Sequence, residues 1–390
     1  MNPAEASDLV VRQAQPADLD AILDLLTEYD LPRAYFEPYY RHDPTYRPEQ
    51  SWIVEQAGRL AAHLRVYDRW IRFGGGRLRI AGVGNVITAR AYRGRGLAGR
   101  LLRAMLAGVH AAGFPYSLLW THLPELYGRY GWAPIEEQRL EARLPPPGPL
   151  SFRLAPFRPA DLPAVMQLYD VSNAARTGPV LRSAEYWRGQ LGWLDESRAG
   201  FLLARTTTGE LLGYVRSRPS AVATEILELG LTPGAREAGR ALLGAAAMGT
   251  TGQLLGLLPP SLASLFAAEE RQMAAATGLM GRVVDLDALL RVLEPLWRQR
   301  LEGATLPPGT LFLTTSGGNV ELQVSATGVQ TNRTDAVPVE RALNEVELAH
   351  LLFHGFDAAA SELFAGRPEE LLLPLLFPPQ DFVLWPADAF

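Results

Sequence analysis

The sequence predicts an α+β fold: mixed, mostly antiparallel sheets flanked by helices, in three consecutive units. Three observations carry this. At 81–103 (AGVGNVITARAYRGRGLAGRLLR) an apolar run breaks into an Arg/Gly loop and re-enters a helical pattern. The strand-then-helix opening at 9–30 returns at 151–173, each copy with Pro-Ala-Asp-Leu leading into its helix. After residue 282 a long amphipathic stretch precedes an alternating hairpin.

Taken in order, LVVRQ (9–13) reads as a strand, and 16–30 as an amphipathic helix with Leu19, Ile22, Leu23, Leu25 and Leu26 on its apolar face. Residues 31–50, aromatic and charged, read as a loop. SWIVEQ and RLAAHLRVYDRWIRFGG alternate as antiparallel strands do and lead to the β-prone run of Val83, Val86 and Ile87. Leu97, Leu101, Leu102, Met105 and Leu106 recur at helical spacing. A strand from Tyr116 to Thr121 and a short helix bearing Tyr127 follow, and the proline-rich LPPPGPL (144–150) reads as a stiff linker. The first unit is thus 1–148.

The second, 149–281, repeats the order with strands in GFLLARTTTGELLGYVRSR and AVATEILELGL, then TPGAREAGRALLGAAA where the first unit has its Arg/Gly loop. Gly234 and Gly239 remain there, but Glu237 puts negative charge where an anion would sit. The third, 282–390, has a helix through Leu286, Leu289, Leu290, Leu293 and Leu296, a hairpin around Ser-Gly-Gly-Asn, and two helical segments, NEVELAHLLFHGF and DAAASELFAG.

Composition narrows the chemistry. Of 390 residues, 37 are basic and 42 acidic, a net charge of −5, so no general nucleic-acid or anionic-membrane surface is indicated. Every basic residue is arginine, which excludes lysine-based catalysis, and the absence of cysteine excludes disulfides and a thiol nucleophile. Residues 1–20 lack an apolar leader core, and LLLPLLFPP (371–379) is too short to span a bilayer, so a cytoplasmic location is expected.

The Arg/Gly loop is built to hold an anion. The first N–H groups of a helix have no internal acceptor, the helix dipole adds positive charge, and Arg93 and Arg95 stand beside them. The loop is neither G-x-x-x-x-G-K-[ST] nor G-x-G-x-x-G, which disfavours a nucleotide kinase or a dinucleotide enzyme.

It does fill Arg/Gln-x-x-Gly-x-Gly/Ala with Arg93, Gly96 and Ala98, and so resembles the acetyl-CoA loop of the GCN5-related N-acetyltransferases (GNAT). FPYSLLWTHLPELYGRYGW, some way downstream, extends the resemblance. A GNAT unit, a degenerate GNAT unit and a sterol-carrier-like unit together resemble the Eis (enhanced intracellular survival) family over essentially the whole chain. The resemblance implies acetyl-CoA as co-substrate, held by Arg93, Gly94, Arg95, Gly96, Leu97, Ala98 and Gly99, with the backbone of Val86, Ile87 and Thr88 placing the thioester and His122 near the cofactor. It implies Tyr127 as the acid and the terminal carboxylate of Phe390 as the base, no metal, and a homo-hexamer. The acceptor would be a primary amine of a small cationic molecule, aminoglycoside-like or polyamine-like, or of a lysine side chain.

The chemistry is consistent with those roles. Direct transfer needs a neutral amine, a polarised thioester carbonyl and a proton for the departing thiolate. A tyrosine with an ordinary pKa of about 10 matches a leaving thiolate, whereas a terminal carboxylate is a weak base that at least holds a cationic amine. Tyr130 reads as a packing residue. Glu28, Asp30, Tyr35, Phe36 and Glu37 are candidates for an amine pocket, with Asp388 as further acceptor charge. Ala389 is penultimate, where the best-known member of the family has an acidic residue that helps bind polycations. Two rival readings are a lipid carrier working through 282–390 and a CoA-binding scaffold without turnover.

Overall fold

The computed structural model describes residues 9–193, 200–248, 252–304, 308–335, 337 and 342–390. Residues 1–8, within the stretch read as lacking a leader, lie outside the described residues.

The chain opens with β1 (Leu9–Gln13), α1 (Leu19–Leu26) and α2 (Arg33–Arg41). It continues through β2 (Ser51–Gln56), β3 (Arg59–Phe73), β4 (Gly76–Thr88), α3 (Leu97–Ala111), β5 (Tyr116–Trp120), α4 (Pro124–Gly128) and β6 (Ala133–Pro134). Then come β7 (Glu137–Arg143), β8 (Arg153–Pro156), α5 (Leu162–Ser172), α6 (Ala184–Trp193), β9 (Gly200–Arg205), β10 (Leu211–Pro219) and β11 (Thr224–Leu231). They are followed by α7 (Arg236–Ala247), β12 (Gln253–Leu257), α8 (Pro260–Ala263), β13 (Arg271–Ala276) and β14 (Leu279–Val283). The last part holds α9 (Leu286–Leu301), β15 (Gly309–Thr315), β16 (Gly318–Ser325), β17 (Gly328–Arg333), β18 (Ala342–Leu343), α10 (Glu345–Phe353), α11 (Ala358–Phe364) and α12 (Leu373–Leu376).

The fold is α+β, with three mixed sheets among the described residues. The first runs β1-β2-β3-β4-β5-β14-β6, and the second, read from its far edge, runs β8-β9-β10-β11-β12-β7-β13. The parallel pair falls at the same place in both, β4 beside β5 and β11 beside β12, each crossed over by one helix, α3 or α7. The repeat reaches atomic detail. Asp18 accepts from the Gln15 N–H and Asp161 from the Arg158 N–H, and each pairs with an arginine, Arg12 or Arg205.

The sheets do not divide at residues 148 and 281. β7, within the expected first unit, pairs with β12 and β13 in the second sheet, while β14 fills the place beside β5 in the first. A strand edge left open beside β5 or β12 exposes unpaired N–H and C=O groups, and the exchange closes both.

Residues 31–50 differ from expectation as well. Arg33–Arg41 is helical despite Pro38, because Phe36 and Tyr40, four apart, are buried against α1. The third sheet packs Leu311, Leu313, Val320, Leu322 and Val324 against α9 and shares one core with Ile71, Phe73, Leu78 and Ile80 of the first sheet. The other face of the first sheet is covered by α3 through Leu101, Leu102 and Met105.

Candidate active site

The site lies where β4 and β5 part. They pair from Ile80↔Tyr116 to Val83↔Leu119 and no further, so residues 84–88 lack a β5 neighbour. A bulge in the β3–β4 register coincides with Asn85, whose φ of 53° is left-handed. Asn85 is held there: its carbonyl lies 3.0 Å from His63 Nδ1, and its side-chain amide donates to the hydroxyls of Tyr40 and Tyr67 at 3.1 and 3.2 Å. The bulge turns the backbone of Val86, Ile87 and Thr88 along the opening. The Val86 carbonyl accepts from the Tyr29 hydroxyl at 2.8 Å, and the Thr88 carbonyl accepts from Arg93 Nε at 3.2 Å.

Past β4 the Arg/Gly loop leads into α3. Gly94 and Gly96 have φ of +76° and +73°, and Gly96 caps the helix, so both glycines serve the turn. An added Cβ on either would meet nothing, which leaves open space over the loop. The N–H groups of Leu97, Ala98 and Gly99 head the helix there, flanked by exposed Arg93 and Arg95. Gly99 has a second duty: a Cβ on it would sit 2.0 Å from the Tyr130 hydroxyl. Tyr130 is thus the packing partner of α3.

Tyr127 lies at the end of α4, 7% exposed, with its ring edge-on to Trp132 at 6.1 Å. Among the described residues its hydroxyl has no hydrogen-bond partner, and burial pushes its pKa up to about 12. The group is more firmly protonated than an ordinary tyrosine.

The C-terminus arrives from the far end of the chain and lies on β4. A Cβ on Gly84 would be 2.7 Å from the Phe390 carboxyl carbon, and one on Gly82 would be 2.9 Å from its ring. The ring packs between Tyr67 at 5.7 Å and Trp120 at 5.0 Å. The two glycines were missed in the sequence. Their signal is spacing, since residues two apart share one face of a strand and leave it bare for close approach.

Residues of the second unit fix the tail. Val383 N–H donates to the Thr177 carbonyl, and Trp385 Nε1 donates to Asn173 Oδ1 at 3.1 Å. Asp388 accepts from Arg182, from the Tyr186 hydroxyl and from Gln190. Arg182 also pairs with Glu228 and lies over the rings of Tyr169 and Trp187. Burial works against the Arg182 charge, but Asp388 and Glu228 outweigh it and raise the guanidinium above its ordinary value. The expectation that Asp388 offers charge to an acceptor is therefore corrected. It is 3% exposed and committed to Arg182.

Beside Phe390 opens a cavity of about 530 Å³ lined by Tyr29, Tyr35, Tyr39, Tyr67, His122 and, from the second unit, Arg218 among others. His122, assigned to the cofactor by resemblance, faces this cavity. Of the aromatic and acidic cluster, Tyr35 and Phe36 line it. Glu28, Asp30 and Glu37 are instead engaged by Arg90 and Arg41. Among the described residues no group of three or more His, Cys, Asp or Glu could hold a metal ion, and no helix is long and apolar enough to cross a membrane.

A parted parallel strand pair, a glycine-bearing turn at a helix N-terminus and a tyrosine on the next short helix define an acyl-CoA transferase type of site. Residues 10–135 match the family model described as acetyltransferase (GNAT) domain, so the first unit carries a GNAT domain. An uncharacterized N-acetyltransferase of Streptomyces coelicolor is 31% identical over 159 residues, 37% of this chain and 38% of that protein. The chain thus spans under two-fifths of the curated relative it matches.

Among solved structures, a conserved protein of unknown function from Enterococcus faecalis superposes with a TM-score of 0.71 at 18% identity, over 97% of both chains. A GCN5-related N-acetyltransferase of Kribbella flavida gives 0.70 at 20%, over 98% of this chain and 100% of that one. Eis1 of Mycobacterium abscessus gives 0.64 at 16%, with the same coverage. At these identities the likeness is one of fold, and it extends across all three units.

Proposed function

We propose that the chain is an acetyl-CoA-dependent N-acetyltransferase of the Eis type that acetylates a primary amine directly. The observation that carries the reading is the terminal carboxylate seated against Gly84, at the parting of β4 and β5 inside the GNAT domain. Arg93, Arg95 and the first N–H groups of α3 hold the pyrophosphate of the cofactor, and the backbone of residues 86–88 lines its thioester arm.

The Phe390 carboxylate receives the ammonium and takes its proton directly or through water. The freed amine attacks the thioester carbonyl carbon, the C–N bond forms and the C–S bond breaks. Tyr127 gives its proton to the departing thiolate and is reprotonated from solvent, to which the attacking nitrogen loses its second proton as the amide forms. The balance is acetyl-CoA and an ammonium going to an amide, CoA thiol and one proton. The test is thiol release coupled to mass analysis of the amine, with an increase of one acetyl group expected. Thiol release without an acetylated amine contradicts transfer to nitrogen.

By the same resemblance the protein assembles as a hexamer in the cytoplasm, and sedimentation at six times the mass of one chain checks the assembly. No observation favours the lipid-carrier reading. The inner face of the third sheet is occupied by its own side chains packed on α9.

A further inference from the structure

The charge inventory around the cavity beside Phe390 is short. Of the acids of the surrounding segments, Asp30 and Glu37 pair with the surface guanidiniums of Arg90 and Arg41, Glu28 accepts from the Arg90 backbone N–H, and Asp388 is buried with Arg182. The cavity keeps the terminal carboxylate and Glu225, and Arg218 stands 3.5 Å from Glu225 on the same wall. His122 adds no negative charge in either protonation state. Behind the Tyr67 ring, Arg65 lies 4.0 Å from its centroid and shares the single carboxylate of Asp43 with Arg69. The floor behind the ring therefore carries excess positive charge, and the charged groups that line the cavity itself, the terminal carboxylate, Glu225 and Arg218, leave one negative charge over.

Its remaining surface is aromatic. Tyr29, Tyr35, Phe36, Tyr39, Tyr67 and Phe390 contribute to the wall, with Tyr35 edge-on to Phe36 at 5.1 Å and Tyr67 beside Phe390 at 5.7 Å. One carboxylate next to several rings suits one ammonium on a flat apolar body. A second or third ammonium would meet Arg218 or lose its water with no anion to replace it.

Resting on the transferase reading above, we propose that the acceptor is a primary monoamine with an aromatic or bulky apolar body, and that polycations are poor substrates. Arg218, contributed by the second unit, is the residue that excludes them.

The experiment compares kcat/KM for 2-phenylethylamine, spermidine and kanamycin at saturating acetyl-CoA, on the wild-type chain and on Arg218→Glu. Arg218 is half-exposed, and its loss leaves the core untouched. Expected is at least a tenfold preference for 2-phenylethylamine in the wild type and at least a tenfold gain for spermidine relative to it in the variant. Equal or better turnover of spermidine or kanamycin by the wild type overturns the acceptor class and leaves the transferase reading standing. No turnover with any of the three removes the transferase reading and this one with it. A preference unchanged in Arg218→Glu removes the role given to Arg218.

Discussion

In the proposed mechanism Tyr127 supplies the proton to the leaving group. Its ring is buried, its hydroxyl has no partner among the described residues, and burial pushes its pKa up to about 12, so the hydroxyl stays protonated at neutral pH. Amine acetylation should then show no loss of kcat from acid deprotonation between pH 7 and 10, and Tyr127→Phe should lower kcat by about 100-fold, within the range for a general acid. A pH–rate profile of both proteins checks this. A descending limb below pH 10 that disappears in the variant contradicts it.

Gly84 makes a different demand. A methyl group there would lie 2.7 Å from the Phe390 carboxyl carbon, too close for any rotamer to relieve. Gly84→Ala should displace the carboxylate and cost at least tenfold in kcat/KM for the amine, while acetyl-CoA affinity, read by calorimetry, stays within twofold. The strand, glycine turn and helix of the Arg/Gly loop, and the short helix bearing Tyr127, were legible because their pattern is local in sequence. The duty of Gly82 and Gly84 was not, since it comes from a segment some 300 residues away.

At the scale of elements, the tail after α12 is clamped by the second unit and lies on β4, where the proposed mechanism uses its carboxylate. Asp388 is its anchor, and its removal leaves Arg182 buried with only Glu228 against it. Breaking a buried pair typically costs about 3–5 kcal/mol. Asp388→Ala should lower the thermal midpoint and reduce kcat more than it changes the KM for acetyl-CoA. Asp388→Asn, which keeps an acceptor oxygen for Tyr186 and Gln190 but loses the charge facing Arg182, should fall between. Equal activity in wild type and Asp388→Ala contradicts the clamp.

Local pattern gave most elements their type, because apolar spacing is a property of neighbours. It failed for Arg33–Arg41, where Pro38 masks a helix secured by burial of Phe36 and Tyr40. It also failed for β7 and β14, whose sheets are chosen by edges completed elsewhere in the chain. That the second unit lacks the Arg/Gly loop was recognisable. What it supplies in exchange, a dock for the tail and one wall of the cavity, was not.

At the scale of the molecule, the buried histidines set the response to acid. Burial pushes His63 down to about 3 and His354 to about 4, so unfolding takes up protons below their ordinary value near 6.5, and stability falls as pH drops through that window. Glu137, pushed up to about 7 by burial, acts the other way between about 4.5 and 7, because there the folded state holds the extra proton. Glu345 and Asp388 are also pushed up by burial and join Glu137, so the histidines contribute a decline of the thermal midpoint from pH 6.5 to 4.5 that these carboxyls offset. His63→Gln should flatten that slope and Glu137→Gln should steepen it, as scanning calorimetry would show.

The proposed transferase joins a cofactor loop in the first unit, a clamp in the second and a carboxylate from the end of the third. The measurement that tests this most directly is amine-dependent CoA-thiol release by the intact chain and by a chain shortened by Phe390, with acetyl-CoA binding measured on both. Turnover that collapses at least 100-fold on shortening, with acetyl-CoA affinity unchanged, is the predicted result. Turnover that survives the loss of Phe390 would contradict it.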